Sequence, residues 1–304
     1  MSTEATLSGG VQQQHLAALD AGRFLIQRCD GCHRHVYFPR PVCPHCGTVD
    51  NATEMKGRTT RPGLFKCREK ECRKPFTVKI GTIFESSHVP MHIWLQAMYL
   101  IAGSKKGISS NHLHRILGVT LKTAWFMSHR IREAMQDNEI LPLGGLGATV
   151  EADETFIGFE PGKPRAPKAY WHKMKVFALV ERGGRSRAMV VDSIGIPTLQ
   201  PIMLENIHRL TKLHTDEAHA YKSIGRFFYQ HEAVRHQTHE YVRGKVHTNT
   251  IEGYFSIFKR GMRGIYQHCA KKHLHRYVAE FNFRYSNRAA LGYNDSDRAD
   301  AMLR

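Results

Sequence analysis

The stretch Thr149-Val-Glu-Ala-Asp-Glu-Thr-Phe-Ile157 decides how the rest of the chain is read. Apolar and β-branched residues are interleaved with acids, the pattern of a half-buried strand. Successive strand side chains point to opposite faces, so Asp153 shares a face with Glu151 while Glu154 takes the other. Downstream, Val176–Arg182 and Arg187–Val191 read as a hairpin around Gly183-Gly184, followed by a helix near Thr198–Leu210 and a short strand at Lys212–Thr215. The C-terminal third is helical, with Ile251, Phe255, Phe258 and Met262 on one apolar stripe and Leu274, Tyr277, Val278 and Phe281 on another. Strands paired first as hairpins and then joined through helices give an α/β fold with a mixed sheet and flanking helices. Asp137–Gly147 reads as a linker, and residues 289–304 as a frayed tail.

The chain carries 44 Lys+Arg against 27 Asp+Glu, a net charge of +17, so acids set among strand residues are the anomaly. Asp153 is followed 63 residues later by Asp216, at the end of Leu213-His-Thr-Asp-Glu217, and a further 36 later by Glu252 in His247-Thr-Asn-Thr-Ile-Glu-Gly253. Lys259 stands seven residues beyond Glu252, which returns it to the same helix face, together with Asn249 and Ser256. Any one of these acids alone reads better as a helix cap or as a partner for a surplus Lys or Arg. The set, on two strands and a helix, suits phosphodiester cleavage and transfer with two divalent cations, one activating the attacking oxygen and one stabilising the leaving oxygen. Hard oxygen ligands favour Mg2+ or Mn2+, and Lys259 would face a phosphate as a point charge.

Upstream, Trp94, Met98 and Ile101 recur at helical spacing from Pro90. Ser104-Lys-Lys-Gly-Ile-Ser-Ser leads to a short helix capped at Ser109 or Ser110, a turn at Gly118-Val-Thr120, and a basic helix from about Leu121 to Met135. This is the pattern of a helix-turn-helix over residues 81–137, with candidate DNA contacts at Lys105, Lys106, Lys122, Thr123, His129, Arg130 and Arg132. Before it, residues 56–79 hold nine basic side chains and end in Phe76-Thr-Val-Lys-Ile, which reads as a strand.

Six of the seven cysteines crowd into residues 29–72 as close pairs, the arrangement of tetrahedral Zn2+ ligation. Two four-sulfur sets are open: Cys43, Cys46, Cys67 and Cys72, a ribbon over residues 43–80 and the preferred set, or Cys29 and Cys32 with Cys43 and Cys46, a rubredoxin-like knuckle. Cys269 reads as an ordinary packed thiol. Residues 1–10 lack the basic-then-apolar pattern of a secretory signal, and Val89–Gly103 is too short to span a bilayer. The expectation is a cytoplasmic protein, nucleoid-associated when bound to DNA, with a polyanionic partner and no membrane.

From Cys43 to about Arg288 the chain resembles bacterial insertion-sequence DDE transposases of the zinc-ribbon class (ISXO-like). The likeness is carried by Gly81-Thr-Ile-Phe-Glu, Ser104-Lys-Lys-Gly-Ile-Ser, Lys122-Thr-Ala-Trp-Phe-Met and His129-Arg-Ile-Arg-Glu-Ala-Met. It continues in Glu151-Ala-Asp-Glu-Thr-Phe-Ile-Gly, His247-Thr-Asn-Thr-Ile-Glu-Gly and Lys272-His-Leu-His-Arg-Tyr. The resemblance implies a ribonuclease H-like catalytic domain over 148–288, with Asp153 and Asp216 as the first two acids. Asn249 and Glu252 both match the third position, Glu252 being preferred because a carboxylate holds a metal better. It also implies cleavage at transposon ends, strand transfer into target DNA, and a homo-oligomer acting on double-stranded DNA at terminal inverted repeats. Residues 1–42 depart from that family; Arg23–Cys43 instead resembles the small zinc ribbons of acyl-CoA-associated proteins. Two other functions fit the same residues: a non-enzymatic DNA-binding protein derived from an inactive transposase, and a ribonuclease H-like structure-specific nuclease.

Overall fold

The five short strands of the N-terminal part are paired locally. The computed structural model describes residues 81–136, 141–160, 162–163, 170–235, 238, 240 and 242–302, together with those strands, Arg73 and Lys79. It divides the chain into two compact units, residues 1–88 and 89–304. In the first, β1 (Gln27–Arg28) pairs antiparallel with β2 (His35–Val36). β3 (Ala52–Glu54), β4 (Leu64–Cys67) and β5 (Pro75–Thr77) form a three-stranded antiparallel sheet, with the Phe65 and Phe76 rings stacked at 5.8 Å across β4 and β5. Of the six clustered cysteines only Cys67, at the end of β4, is among the described residues; Cys29, Cys32, Cys43, Cys46 and Cys72 lie outside them.

The second unit begins with three helices. α1 (Met91–Gly103) buries Trp94, Met98 and Ile101. α2 (Ser110–Leu117) is capped by Ser109, whose side chain accepts from the His112 N–H, and ends at Gly118, whose φ of 65° favours glycine. α3 (Leu121–Ala134) is capped by Thr120, which accepts from the Thr123 N–H. The turn between α2 and α3 is therefore set by one left-handed glycine and one hydroxyl cap.

A five-stranded mixed sheet follows. β6 (Thr149–Ile157), β7 (Met174–Glu181) and β8 (Ser186–Val191) form an antiparallel meander. α4 (Ile196–Asn206) crosses to β9 (Lys212–Thr215), which lies parallel to β6 on its other side, and α5 (His219–Gly225) leads to β10 (Gln230–Ala233), parallel to β9. The spatial order is β10-β9-β6-β7-β8. β7 is buried on both faces, consistent with its continuous run Val176-Phe-Ala-Leu-Val180. On one side Val150, Ala152, Phe177, Leu179 and Leu213 pack against Leu199 and Met203 of α4 and Tyr221 and Ile224 of α5.

A small hairpin, β11 (Val242–Arg243) and β12 (Val246–His247), then feeds α6 (Asn249–Gly261), which is followed by one π-helical turn and α7 (Lys271–Ser286). Ile251, Phe255 and Phe258 of α6 and Leu274, Val278 and Phe281 of α7 cover the second face of the sheet, over Val176, Ala178 and Val180. Truncating a fully buried Phe such as Phe258 in this layer removes about 3–5 kcal/mol. The segment beyond Arg288 is not the frayed tail expected. α8 (Asp295–Ala301) opens on a capping box between Asn294 and Asp297 and packs against α1. Among the described residues no helix is long and apolar enough to cross a membrane.

Candidate active site

The β6–β9 ladder aligns Thr149 with Lys212, Val150 with Leu213 and Glu151 with His214, a constant offset of 63 residues. Asp153 and Asp216 are also 63 apart. Extending the ladder by two residues therefore brings Asp216, just beyond the end of β9, level with Asp153 and in the same pleat phase, on neighbouring strands about 5 Å apart. The long-range sequence spacing of the two acids is thus the register of a parallel strand pair. Asp216 Oδ1 accepts from the Ala218 N–H (3.0 Å), which turns the chain from β9 into α5.

Glu252 is brought in by α6, and the helix start is fixed by a different acid. Glu151, fully buried two residues before Asp153, accepts from the Ile251 N–H (2.9 Å) and the Thr250 hydroxyl (2.9 Å), and pairs with Arg182 Nε at 2.6 Å. A buried carboxylate satisfying free N–H groups at a helix N-terminus is favourable by charge and by hydrogen bonding. Strand periodicity makes Glu151 only a face-mate of Asp153; its ion-pair partner 31 residues away lies outside any local pattern. Glu252 Oε1 accepts from the Thr248 hydroxyl (2.9 Å) in the first turn of α6. Asn249, Glu252 and Ser256 are exposed along the helix, opposite buried Ile251, Phe255 and Phe258, as the spacing predicts. Lys259 is half-buried on that same face, its Nζ 6.0 Å from the Phe255 ring.

The electrostatics of this corner are those of crowded anions. Burial, then the neighbouring Glu154 carboxylate, push the Asp153 carboxyl up to about 8, with Asp216 and Glu252 adding to the rise and the Glu154 N–H opposing it. Burial also raises Glu154, against the stabilising hydrogen bond that the Tyr221 hydroxyl donates to it. The donor set is entirely carboxylate oxygen, the chemistry of a hard divalent cation. Asp216 and Glu252 are each within electrostatic reach of Asp153, yet no three His, Cys, Asp or Glu side chains among the described residues close on a common cation position.

Glu217, the residue after Asp216, lines a 510 Å³ groove with Lys222, His231, Arg235 and Arg243; Asp153 and Asp216 are absent from its wall.

Among the candidate DNA contacts, Lys105, Lys106 and Lys122 are exposed, and Thr123 is held in the Thr120 cap. Arg130 lies over the Phe126 ring at 4.6 Å and is half-exposed. His129 and Arg132 are corrected: both are buried, at 4% and 1% exposure. Arg132 Nε donates to Glu280 of α7 at 2.6 Å, and its guanidinium covers the Tyr277 ring at 4.4 Å. His129 packs on Trp125 with ring centroids 4.1 Å apart. Burial, followed by the charges of Arg132, His273 and Arg276, pushes its imidazole down to about 3, so it is neutral and offers no cation to a phosphate. Both lie on the side of α3 that carries Lys122 and Trp125, each seven residues earlier, and are covered there by His273, Tyr277 and Glu280 of α7, which helix periodicity alone does not reveal.

Residues 142–286 match the ISXO2-like transposase domain, and residues 16–50 match the ChsH2 rubredoxin-like zinc ribbon domain. An uncharacterized protein in transposable element ISH50 of Halobacterium salinarum is 26% identical over 234 residues, covering 71% of this chain and 76% of that protein. A crystal structure of a pre-cleavage Mos1 transpososome aligns with 9% identity over 67% of this chain and 77% of its own, at a TM-score of 0.19, too low to bear on the fold.

Proposed function

We propose, from the ISXO2-like transposase domain that residues 142–286 carry, that this protein is a transposase that cuts DNA at transposon ends and joins the freed 3′ ends to target DNA. The observation that carries the catalytic part is the shared offset of 63: the β6–β9 register and the Asp153-to-Asp216 spacing coincide, and Asp216 and Glu252 both act on the Asp153 carboxyl. The strand order β10-β9-β6-β7-β8, three antiparallel strands followed by two parallel ones, supports the ribonuclease H-like reading. Asp153, Asp216 and Glu252 would hold Mg2+ or Mn2+, which supplies Lewis-acid activation and charge neutralisation at the scissile phosphate. Glu151 positions α6, Thr248 orients Glu252, and Lys259 presents a cation to the phosphate backbone. Water adds at phosphorus as the bond to the 3′ oxygen breaks; the freed 3′-hydroxyl then attacks a target phosphodiester and displaces the target strand's 3′ oxygen, which leaves as a hydroxyl, so no covalent protein–DNA intermediate is needed. Glu252 is preferred to Asn249 as the third ligand, since Asn249 offers no negative charge.

Helices α2 and α3, with the glycine turn between them, are assigned as a helix-turn-helix that binds the element's ends through Lys105, Lys106, Lys122, Thr123 and Arg130. The N-terminal unit contributes a Zn2+ ribbon. The zinc-ribbon match spans Cys29, Cys32, Cys43 and Cys46, which supports that four-sulfur set over the one drawing on Cys67 and Cys72. Paired transposon ends call for a homo-oligomer on double-stranded DNA, in the cytoplasm.

A second reading, a DNA-binding protein with a silent core, is favoured by the open arrangement of the three acids. Asp153→Ala separates the two. If the protein is an enzyme, the wild type nicks terminal-repeat DNA with Mg2+ and the variant loses nicking while keeping end binding. If it only binds, the wild type shows no metal-dependent cleavage at all.

A further inference from the structure

A pocket of 390 Å³ opens between the C-terminal end of α1, one side of α6, the last turns of α7 and the segment leading into α8. None of Asp153, Asp216 and Glu252 lines it. Its charge is unbalanced. Arg132 and Arg284 both pair with a single carboxylate, Glu280, and all three are more than nine-tenths buried. One positive charge is therefore left over in the interior, and Arg284, which stands in the pocket wall, keeps Nε and Nη2 without a hydrogen-bond partner among the described residues. Arg288, also in the wall, donates to the carbonyls of Gly184 (2.8 Å) and Tyr285 (2.7 Å) rather than to a carboxylate. Lys105 is exposed at the rim, and Arg298 is paired with Asp295.

The rest of the wall is apolar and aromatic, formed chiefly by Tyr254, Ile257, Phe281 and Tyr285. The Arg284 guanidinium lies over the Phe281 ring at 4.6 Å and that of Arg288 over Tyr285 at 4.1 Å. A guanidinium stacked on one ring still offers its outer plane to a second flat group, while its N–H groups reach an oxyanion. A bare anion would balance the charge and leave the apolar wall facing water. A neutral apolar ligand would cover the wall and leave the cation unbalanced. A nucleotide brings a flat base and a phosphate together, and the volume is within the range of small-ligand pockets.

We propose that this pocket binds a single nucleotide, either extruded from a DNA strand or free in solution. The choice of a nucleotide among aromatic anions rests on the transposase reading; the surplus charge does not. The test is calorimetric titration of the full-length protein, without added divalent cation, using deoxyadenosine monophosphate, deoxyadenosine, inorganic phosphate, and duplexes with or without one unpaired nucleotide. The monophosphate should bind at one site per chain, at least roughly 10-fold more tightly than either fragment. Lys105→Glu, at an exposed position, should weaken it about 10-fold without unfolding the protein, and Arg288→Ala should weaken it at least as much. Preference for the duplex with an unpaired nucleotide, competed away by the monophosphate, assigns the site to a strand; saturable binding of the free monophosphate alone assigns it to a free nucleotide. The proposal is overturned by the absence of saturable nucleotide binding, by inorganic phosphate binding as tightly as the monophosphate, or by unchanged affinity in Lys105→Glu. Asp153→Ala should bind the monophosphate like wild type, so loss of strand cleavage and loss of this site are read separately.

Discussion

Replacing Asp153 by Asn should make the protein more stable wherever divalent cations are absent. In the unfolded chain this carboxyl ionises near 3.8, and in the folded protein near 8, because it is buried beside Glu154, Asp216 and Glu252. A folded pKa raised in this way favours the native state fully below pH 4, and that advantage is lost as pH rises towards 8. At about 1.4 kcal/mol per pH step, ionisation of the unfolded chain costs the native state roughly 4 kcal/mol by pH 7. Solvent screening at this half-buried position reduces the cost to about 2 kcal/mol. Asn carries no charge to ionise and keeps the oxygen that accepts from the Glu154 N–H at 2.7 Å. The Asn variant should therefore melt about 4–8 °C above wild type at pH 7, with the gap widening towards pH 8 and closing towards pH 4. Thermal unfolding followed by calorimetry, in buffer freed of Mg2+ and Mn2+, measures this directly. Saturating Mg2+ should then raise the melting temperature of wild type and not of the variant. An Asn variant no more stable than wild type at pH 8, or a gap that does not change with pH, would show that the carboxylates are not crowded as described.

Glu280→Gln leaves Arg132 and Arg284 without their shared carboxylate, and should lower the unfolding free energy in urea by about 3–5 kcal/mol. Glu252→Gln should reduce metal-dependent strand cleavage roughly 100-fold, whereas Asn249→Ala should leave most of it, if Glu252 is the third ligand. Lys122→Ala should weaken DNA binding on every sequence and reduce the slope of log affinity against log salt by about 0.9; Arg132→Gln should lower the melting temperature and leave that slope unchanged. Thr120→Ala, which removes the cap of α3, should cost about 1 kcal/mol in denaturant unfolding.

The strand that holds Asp153 and the one that leads into Asp216 are legible in the sequence to the residue. Thr149–Ile157 and Lys212–Thr215 carry β-branched and apolar residues in strand patterns, and the helix face bearing Glu252 followed from apolar spacing. What local sequence does not carry depends on partners far away in the chain. β10 reads Gln-His-Glu-Ala, a polar run that is a strand only because it lies at the edge beside β9. α8 reads Asp-Ser-Asp-Arg-Ala-Asp-Ala, with no apolar stripe, and is fixed by its capping box and by packing on α1. Arg132 looks like a phosphate contact until Glu280, 148 residues later, is placed beside it. Glu151 likewise shows its role only once α6 is docked, when the Ile251 N–H reaches it. Local pattern reports backbone conformation and facing; it is silent on which buried charges will meet.

Whether Asp153, Asp216 and Glu252 together take up divalent cations is read from anomalous scattering by crystals soaked in Mn2+. Manganese peaks are expected within bonding distance of the Asp153 and Asp216 carboxylates, with Glu252 drawn in, and should disappear in Asp153→Ala. Manganese bound elsewhere, or none at these three side chains while the wild type still cleaves terminal-repeat DNA, would contradict it.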